Sequence, residues 1–109
     1  MSETLVPLCP ISDVAENTVR LVKAGGRMLA VYNIDGTFYA TDDECTHGAA
    51  SLSDGVLDGD VIECTMHFGA FDVKTGKPVQ EPCSIALRTY KVVVQDGQVF
   101  ADLEKSAGE

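Results

Sequence analysis

The chain has 109 residues, of which 45% are apolar and 23% charged, a composition typical of globular proteins and too apolar for a disordered one. Its length fits one domain, so we expect residues 1–109 to form a single domain. With 8 basic and 17 acidic residues the formal charge is −9, which repels phosphate backbones and anionic lipids and argues against a nucleic-acid partner.

Neither a membrane span nor a secretory signal is indicated. No stretch approaches the roughly 20 consecutive apolar residues that a spanning helix needs, and Met1 to Pro10 lack a charged start followed by an apolar run. We therefore expect a cytoplasmic protein with no membrane partner. Four cysteines are few for a disulfide scaffold, and in a reducing compartment cysteine more often indicates metal binding or reactivity.

The first half of the chain alternates short apolar runs with turns. One helical turn is allowed at Ser12–Glu16, capped by Ser12 or Asp13. After it, runs rich in Val, Ile, Tyr and Phe predict three strands, at Val19–Lys23, Arg27–Ile34 and Thr37–Thr41.

The second half has the same character and ends in a polar tail, Glu104–Glu109, that we expect to fray. Further strands are predicted at Val61–Cys64, Ala70–Val73, Ile85–Val94 and Val99–Leu103, with a turn at Lys74–Lys77. Type I′ hairpins are predicted at the pairs Asp35-Gly36, Asp58-Gly59 and Asp96-Gly97. The chain is therefore predicted to be all-β, a sandwich or small barrel of antiparallel sheets.

Two mixed pairs of cysteine and histidine stand out. One residue separates Cys45 from His47, two separate Cys64 from His67, and 16 lie between His47 and Cys64. A lone histidine or cysteine is usually structural, but the chain's 2 histidines each lie within three positions of a cysteine. We therefore predict a metal site. A hairpin over Val56–Glu63 would bring both pairs to one end of a sheet.

Two kinds of metal site fit these ligands. Zinc accepts two thiolates and two imidazoles, although finger-type sites usually group Cys with Cys and His with His. In a Rieske centre two thiolates bind one iron and two imidazoles the other, so each loop supplies one ligand to each iron. Two mixed pairs meet that requirement.

The segments Cys45-Thr46-His47-Gly48 and Cys64-Thr65-Met66-His67-Phe68-Gly69 resemble the two cluster-binding boxes of Rieske proteins. The flanking residues Ser51–Gly55, Phe71-Asp72 and Thr75-Gly76 resemble those of the ferredoxin components of aromatic-ring dioxygenases of the biphenyl and naphthalene type, and the likeness covers nearly the whole chain. The resemblance implies one [2Fe-2S] cluster held by Cys45, His47, Cys64 and His67, in a Rieske fold of three antiparallel sheets. It places the cluster-binding loops at about residues 43–52 and 62–71 of a small subdomain, with the imidazoles near solvent.

Several residues near the two boxes have both an ordinary and a cluster-related interpretation. Gly48 and Gly69 could let backbone N–H groups approach cluster sulfurs or could serve ordinary turns. By the resemblance Pro82 belongs to a third loop that shields the cluster, whereas its ordinary role is to end a strand. Cys9 and Cys83 have no neighbouring ligand residues, so we predict structural thiols and no disulfide.

The resemblance also implies a function. A flavoprotein ferredoxin reductase would oxidise NADH and load one electron onto the cluster, and the protein would deliver it to a terminal ring-hydroxylating oxygenase. The oxygenases also hold a mononuclear iron bound by two histidines and a carboxylate. After His47 and His67 no histidine remains, so this chain is not expected to be an enzyme alone. The alternatives are a zinc-stabilised protein-binding module, the small Rieske-like subunit of a nitrite reductase, or a ferredoxin serving another monooxygenase or demethylase.

Overall fold

The computed structural model describes residues 5–45, 50–64, 69–80 and 85–107. These residues contain ten strands and two short 3-10 turns, Ile11–Asp13 and Leu52–Asp54. The strands are β1 (Leu5–Pro10), β2 (Thr18–Ala24), β3 (Arg27–Ile34), β4 (Thr37–Asp42), β5 (Val56–Asp58), β6 (Val61–Glu63), β7 (Ala70–Asp72), β8 (Pro78–Gln80), β9 (Thr89–Gln95) and β10 (Gln98–Asp102). The prediction of an all-β chain is confirmed.

The strands form two antiparallel sheets. The larger has the order β1-β10-β9-β4-β3-β2 and the smaller the order β5-β6-β7-β8. In the larger sheet, β4 and β9 are joined by two residue pairs, Ala40 with Tyr90 and Thr41 with Thr89. The resemblance implied three sheets. The pairing of β4 with β9 joins two of the implied sheets into the six-stranded sheet, so the described residues form two sheets.

Strand β3 is buried on both faces and separates two cores. Leu29 and Val31 point into the first core. This core lies inside the six-stranded sheet, which curls so that its edge strands β1 and β2 approach each other. The alternate residues Ala30 and Tyr32 belong to the second core, shared with the small sheet. Because successive side chains of a strand point to opposite faces, the near-continuous apolar run of β3 serves both cores. The small sheet thus packs on the outer face of the large one.

The hairpins confirm two of the three predicted type I′ turns. Asp35-Gly36 joins β3 to β4 and Asp96-Gly97 joins β9 to β10, each with positive φ at both residues. The third hairpin exists, but its turn is one residue further on, at Gly59-Asp60, and Gly59 alone of the two has positive φ. That pattern belongs to a type II′ turn, so the predicted turn type was wrong here. A fourth tight hairpin, at Gly25-Gly26 between β2 and β3, was not predicted.

Three predictions about where elements begin and end need correction. The 3-10 turn begins at Ile11, after Pro10, and no side chain caps it. Strand β9 starts at Thr89, four residues later than the run beginning at Ile85 suggested. The polar tail is held as far as Ala107, whose N–H donates to Thr89 Oγ1 at 3.1 Å, so the prediction that it frays was wrong for those residues. Within the described residues, no helix is long and apolar enough to cross a membrane.

Candidate functional site

The first loop that carries a predicted ligand begins at Cys45, three residues after β4. The N–H of Cys45 donates to the carbonyl oxygen of Ala50 at 2.9 Å, and the neighbouring residues Glu44 and Ser51 form an antiparallel bridge. These contacts close a loop over residues 46–49. His47 and Gly48 lie in that segment, outside the described residues.

The second loop is closed in the same way. The N–H of Cys64 donates to the carbonyl oxygen of Gly69 at 2.7 Å, directly beyond the last pair of the β6–β7 hairpin, Glu63 with Ala70. As in the first loop, the residue that donates the N–H lies five positions before the residue whose carbonyl accepts it. The four residues between them, 65–68, include the predicted ligand His67 and lie outside the described residues. The two boxes are thus matched loops, each with a cysteine at its entrance.

The fold brings the two cysteines into one apolar region. Cys45 is 3% exposed and Cys64 is 1% exposed, and both belong to the second core, together with Leu52, Ile62 and Phe71. Both cysteines thus lie in the core that the large and small sheets share. Such surroundings keep water away from both sulfur atoms.

A glycine between the loops fixes how closely they approach. A Cβ atom at Gly55 would lie 2.1 Å from the carbonyl oxygen of Glu63 and 3.1 Å from that of Leu52. Only a residue without a side chain allows this approach. Because Glu63 immediately precedes Cys64, the segment that follows the first loop rests directly on the strand that leads into the second. Sequence reasoning gave Gly55 no such role, since the contact joins residues eight positions apart.

Asp43 is a second residue that sequence reasoning missed. It is 5% exposed, and its carboxylate accepts hydrogen bonds from Ser51 Oγ and from the N–H of Ser53. Its charge also reaches Tyr32: burial raises the pKa of Tyr32, a hydrogen bond with Thr41 lowers it in part, and Asp43 raises it further. The sequence offered one signal, an acidic residue two positions before a predicted ligand.

The other cysteines and the proposed third loop are placed differently. Cys9 lies in the first core, inside the curled sheet, and is 6% exposed. Burial raises the pKa of its thiol, the charge of Asp13 adds to this, and Arg20 offsets part of it. Pro82 and Cys83 lie outside the described residues. The structural role predicted for Cys9 and Cys83 stays a prediction.

Residues 4–91 match the family model of the Rieske [2Fe-2S] domain. The chain belongs to this family. Its cofactor is therefore a Rieske-type [2Fe-2S] cluster, which decides between zinc and an iron–sulfur cluster in favour of the cluster. The predicted Rieske fold of antiparallel sheets is likewise confirmed.

Several relatives of this Rieske domain are ferredoxins. It is 48% identical over 106 residues to ferredoxin CarAc of Metapseudomonas resinovorans, covering 96% of this chain and 99% of the relative. It is 50% identical over 101 residues to the ferredoxin component of the p-cumate 2,3-dioxygenase system of Pseudomonas putida, covering 91% and 86% of the two chains. A ferredoxin solved in complex with the oxygenase of carbazole 1,9a-dioxygenase superimposes with a TM-score of 0.85 at 48% identity, covering 92% of this chain and 94% of the other.

The donors that the described residues supply fit the cluster. Thiolates hold one iron of a Rieske centre, and the two loops each bring one buried cysteine into the same core. Within residues 5–45, 50–64, 69–80 and 85–107, no three His, Cys, Asp or Glu side chains form a group that could hold a metal ion. Both histidines of the chain lie outside these ranges.

Proposed function

We propose that this protein carries single electrons from an NADH-dependent flavoprotein reductase to the terminal oxygenase of an aromatic-ring dioxygenase system. The observation that carries the proposal is its likeness, over almost the whole chain, to ferredoxin components of such systems. A similar ferredoxin has been solved in complex with the oxygenase of carbazole 1,9a-dioxygenase. We base the NADH-dependent reductase and the cytoplasmic location on the sequence predictions. We also propose that residues 1–109 form a single Rieske domain.

The proposed ligands are Cys45 and Cys64 on one iron and His47 and His67 on the other. The matched loops support this assignment, because each has its cysteine at the entrance and its histidine between the two closing residues. When bound, the cluster accepts and donates one electron. The chain's own residues keep water from the two sulfur atoms and hold the loops at fixed separation, since Gly55 seats the first loop on the strand leading to the second.

The protein is not an enzyme by itself, because its relatives are electron-transfer components of multicomponent systems. A second, mononuclear iron with two histidine ligands would need histidines beyond the 2 that the chain contains. Substrate oxidation therefore belongs to the partner oxygenase.

Reconstitution tests the proposal. Purified protein, a ferredoxin reductase, a terminal oxygenase, NADH and the aromatic substrate should together give hydroxylated product, and omission of any protein should abolish it. Cys45→Ser should lose both the Rieske EPR signal and product formation, whereas the matched variant Cys9→Ser should retain both. Product formed without reductase or oxygenase would overturn the proposed function.

Two further measurements separate the alternatives. Metal analysis should give two irons and two acid-labile sulfides per chain, and one zinc without sulfide would instead indicate the zinc-stabilised module. If several ring-hydroxylating oxygenases receive no electrons while a nitrite reductase large subunit or another monooxygenase does, the proposed partner is wrong although the electron-carrying role stands.

A further inference from the structure

The carboxylate of Asp43 is unusual in being buried and held by neutral partners. One oxygen accepts from Ser51 Oγ and the other from the N–H of Ser53 at 2.9 Å. The two serine hydroxyls also bond each other at 2.7 Å. None of the described lysine and arginine side chains forms an ion pair with it. We call Asp43, Ser51 and Ser53 the Asp43 clamp.

The backbone of Asp43 is fixed as firmly as its side chain. Its N–H donates to the carbonyl oxygen of Met28 on β3 at 3.1 Å, and its own carbonyl accepts from the N–H of Leu52 at 2.7 Å. Asp43 thus ties the end of β4 to β3 on one side and to the segment after the first loop on the other. Four hydrogen bonds converge on one residue two positions before Cys45.

Burying an ionised carboxylate without a cation is costly, and its hydrogen bonds must offset that cost. A neutral asparagine could make one of the same bonds at a lower cost of burial. What the ionised form adds is strength, because hydrogen bonds to a charged acceptor are shorter and stronger than neutral ones. These stronger hydrogen bonds act at the two ends of the segment 46–49. Asp43 lies two positions before Cys45, and Ser51 directly follows Ala50, whose carbonyl accepts from the N–H of Cys45.

We propose that Asp43 is a positioning residue for the cluster: the clamp fixes the separation of the two ends of the first loop and thereby the position of the Cys45 sulfur. The inference rests on the proposed function, in which Cys45 is a ligand. Loss of the clamp lets Cys45 and Ala50 move apart and weakens the hold on the cluster. Loss of its charge alone, with the shape kept, raises the reduction potential, because a nearby buried negative charge disfavours the more negative reduced state.

Four variants test the clamp. Asp43→Ala removes the side-chain hydrogen bonds, Asp43→Asn keeps the shape without the charge, and Ser51→Ala removes one donor. Asp54→Asn is the matched control, because it removes the same charge from an exposed residue of the same segment. We expect Asp43→Ala to lose its cluster roughly 10- to 100-fold faster than wild type, the range by which loss of residues that support metal ligands commonly weakens metal binding. Ser51→Ala should show a smaller acceleration.

The readouts are iron and sulfide per chain, the rate of bleaching in the visible spectrum, the EPR line positions and the potential by voltammetry. Asp43→Asn should shift the potential upward by more than Asp54→Asn does. Asp43→Asn and Ser51→Ala are mild enough to give folded protein if Asp43→Ala does not. Wild-type bleaching rate, EPR and potential in both mild variants would overturn the proposal, as would an Asp43→Ala variant that is less stable but spectroscopically unchanged. If instead Cys45→Ser keeps its cluster, the ligand assignment itself is at fault.

Discussion

Cys9 shows how burial controls the chemistry of a single side chain. Its thiol lies in the core of the curled sheet, and its pKa is raised by burial and by the charge of Asp13, with Arg20 offsetting part of the increase. A raised pKa means less thiolate at pH 8, and the thiolate is the reactive form. Iodoacetamide at pH 8 should therefore modify Cys9 far more slowly in the folded protein than in urea, as measured by peptide mass spectrometry. Equal rates in the two states would contradict the buried placement.

Among single residues, the sequence showed the candidate ligands more clearly than the residues that support them. The pairs Cys45/His47 and Cys64/His67 were recognisable because their chemistry is local and their spacing is short. Asp43 was not, because a carboxylate in a loop is normally exposed, and only its contacts with Ser51 and Ser53, eight and ten positions later, show that it is buried. Such contacts depend on the loop's path, which composition and spacing do not fix.

At the scale of elements, the approach of the two loops depends on Gly55. Its backbone is extended, with φ −83°, so alanine there meets no conformational penalty, only the clash with the Glu63 carbonyl. We expect Gly55→Ala to lower the free energy of unfolding by about 3 kcal/mol or more and to reduce iron content. Gly26→Ala is the control. The φ of +77° at Gly26 strains alanine, but an added Cβ would have no neighbour among the described residues within 4 Å, so this variant should lose only about 1–2 kcal/mol of the free energy of unfolding. Urea unfolding followed by circular dichroism compares them, and similar costs would refute the close contact.

The seam between β4 and β9 is short, and Tyr90 reinforces it. Its hydroxyl donates to Asp42 Oδ1 at 2.5 Å and accepts from Arg27 at 3.2 Å. The guanidinium groups of Arg27 and Arg88 lie 5.8 and 5.3 Å from its ring centre and both donate to the Leu103 carbonyl. Two residue pairs and the hydrogen bond from the Asp42 N–H to the Arg88 carbonyl form a short connection between the halves of the large sheet, and this polar cluster strengthens it.

Removing the Tyr90 hydroxyl should weaken that seam in a pH-dependent way. Burial raises the pKa of Tyr90, the hydrogen bond and charge of Asp42 raise it further, and Arg27 offsets part of the increase. Below about pH 10, the ordinary tyrosine pKa, the hydroxyl stabilises the fold fully. Above it the unfolded state loses its proton first, so this stabilisation declines as pH rises.

Tyr90→Phe should cost about 1.5–3 kcal/mol near neutral pH, the worth of a hydrogen bond to a charged group. The difference from wild type should shrink above about pH 10. Urea unfolding at a series of pH values measures both quantities, with Tyr39→Phe as the control for loss of one phenol. A difference that stays constant or grows with pH would show that Tyr90 does not titrate as its surroundings require.

The strands themselves were largely visible in the sequence, for identifiable reasons. The bounds of β3 were predicted correctly at Arg27–Ile34, because an apolar run between Gly-Gly and Asp-Gly leaves little choice. Strand β1 was missed because Pro7 and Pro10 interrupt it, although an edge strand tolerates proline. The sequence also did not show that the two faces of β3 belong to different cores. A run that is apolar on both faces does not tell which other strands cover each face.

For the whole molecule, the distribution of charge matters more than its sum. Residues 43–85, which span the two loops and the small sheet, contain eight acidic and two basic residues, a net of −6 out of the total of −9. The acidity is therefore concentrated in the part of the chain that contains the predicted cluster-binding loops, and the curled sheet is closer to neutral. A partner that docks near the cluster meets most of the negative charge, which favours a basic docking surface.

Salt and charge-removal variants together test whether this acidity steers docking. Reduction of the protein by the proposed flavoprotein reductase, followed by stopped-flow absorbance at low protein concentration, should slow as ionic strength rises, because about 0.1 M salt screens charges beyond about 10 Å. At low salt Asp58→Asn, in the β5–β6 hairpin, should slow the reaction more than Asp96→Asn in the β9–β10 hairpin, and high salt should remove the difference. Both residues are exposed, and asparagine tolerates the positive φ of Asp96, so neither variant should disturb the fold. A rate that is flat or rising with salt, or equal slowing by the two variants, would show that the charge around the cluster serves solubility and not docking.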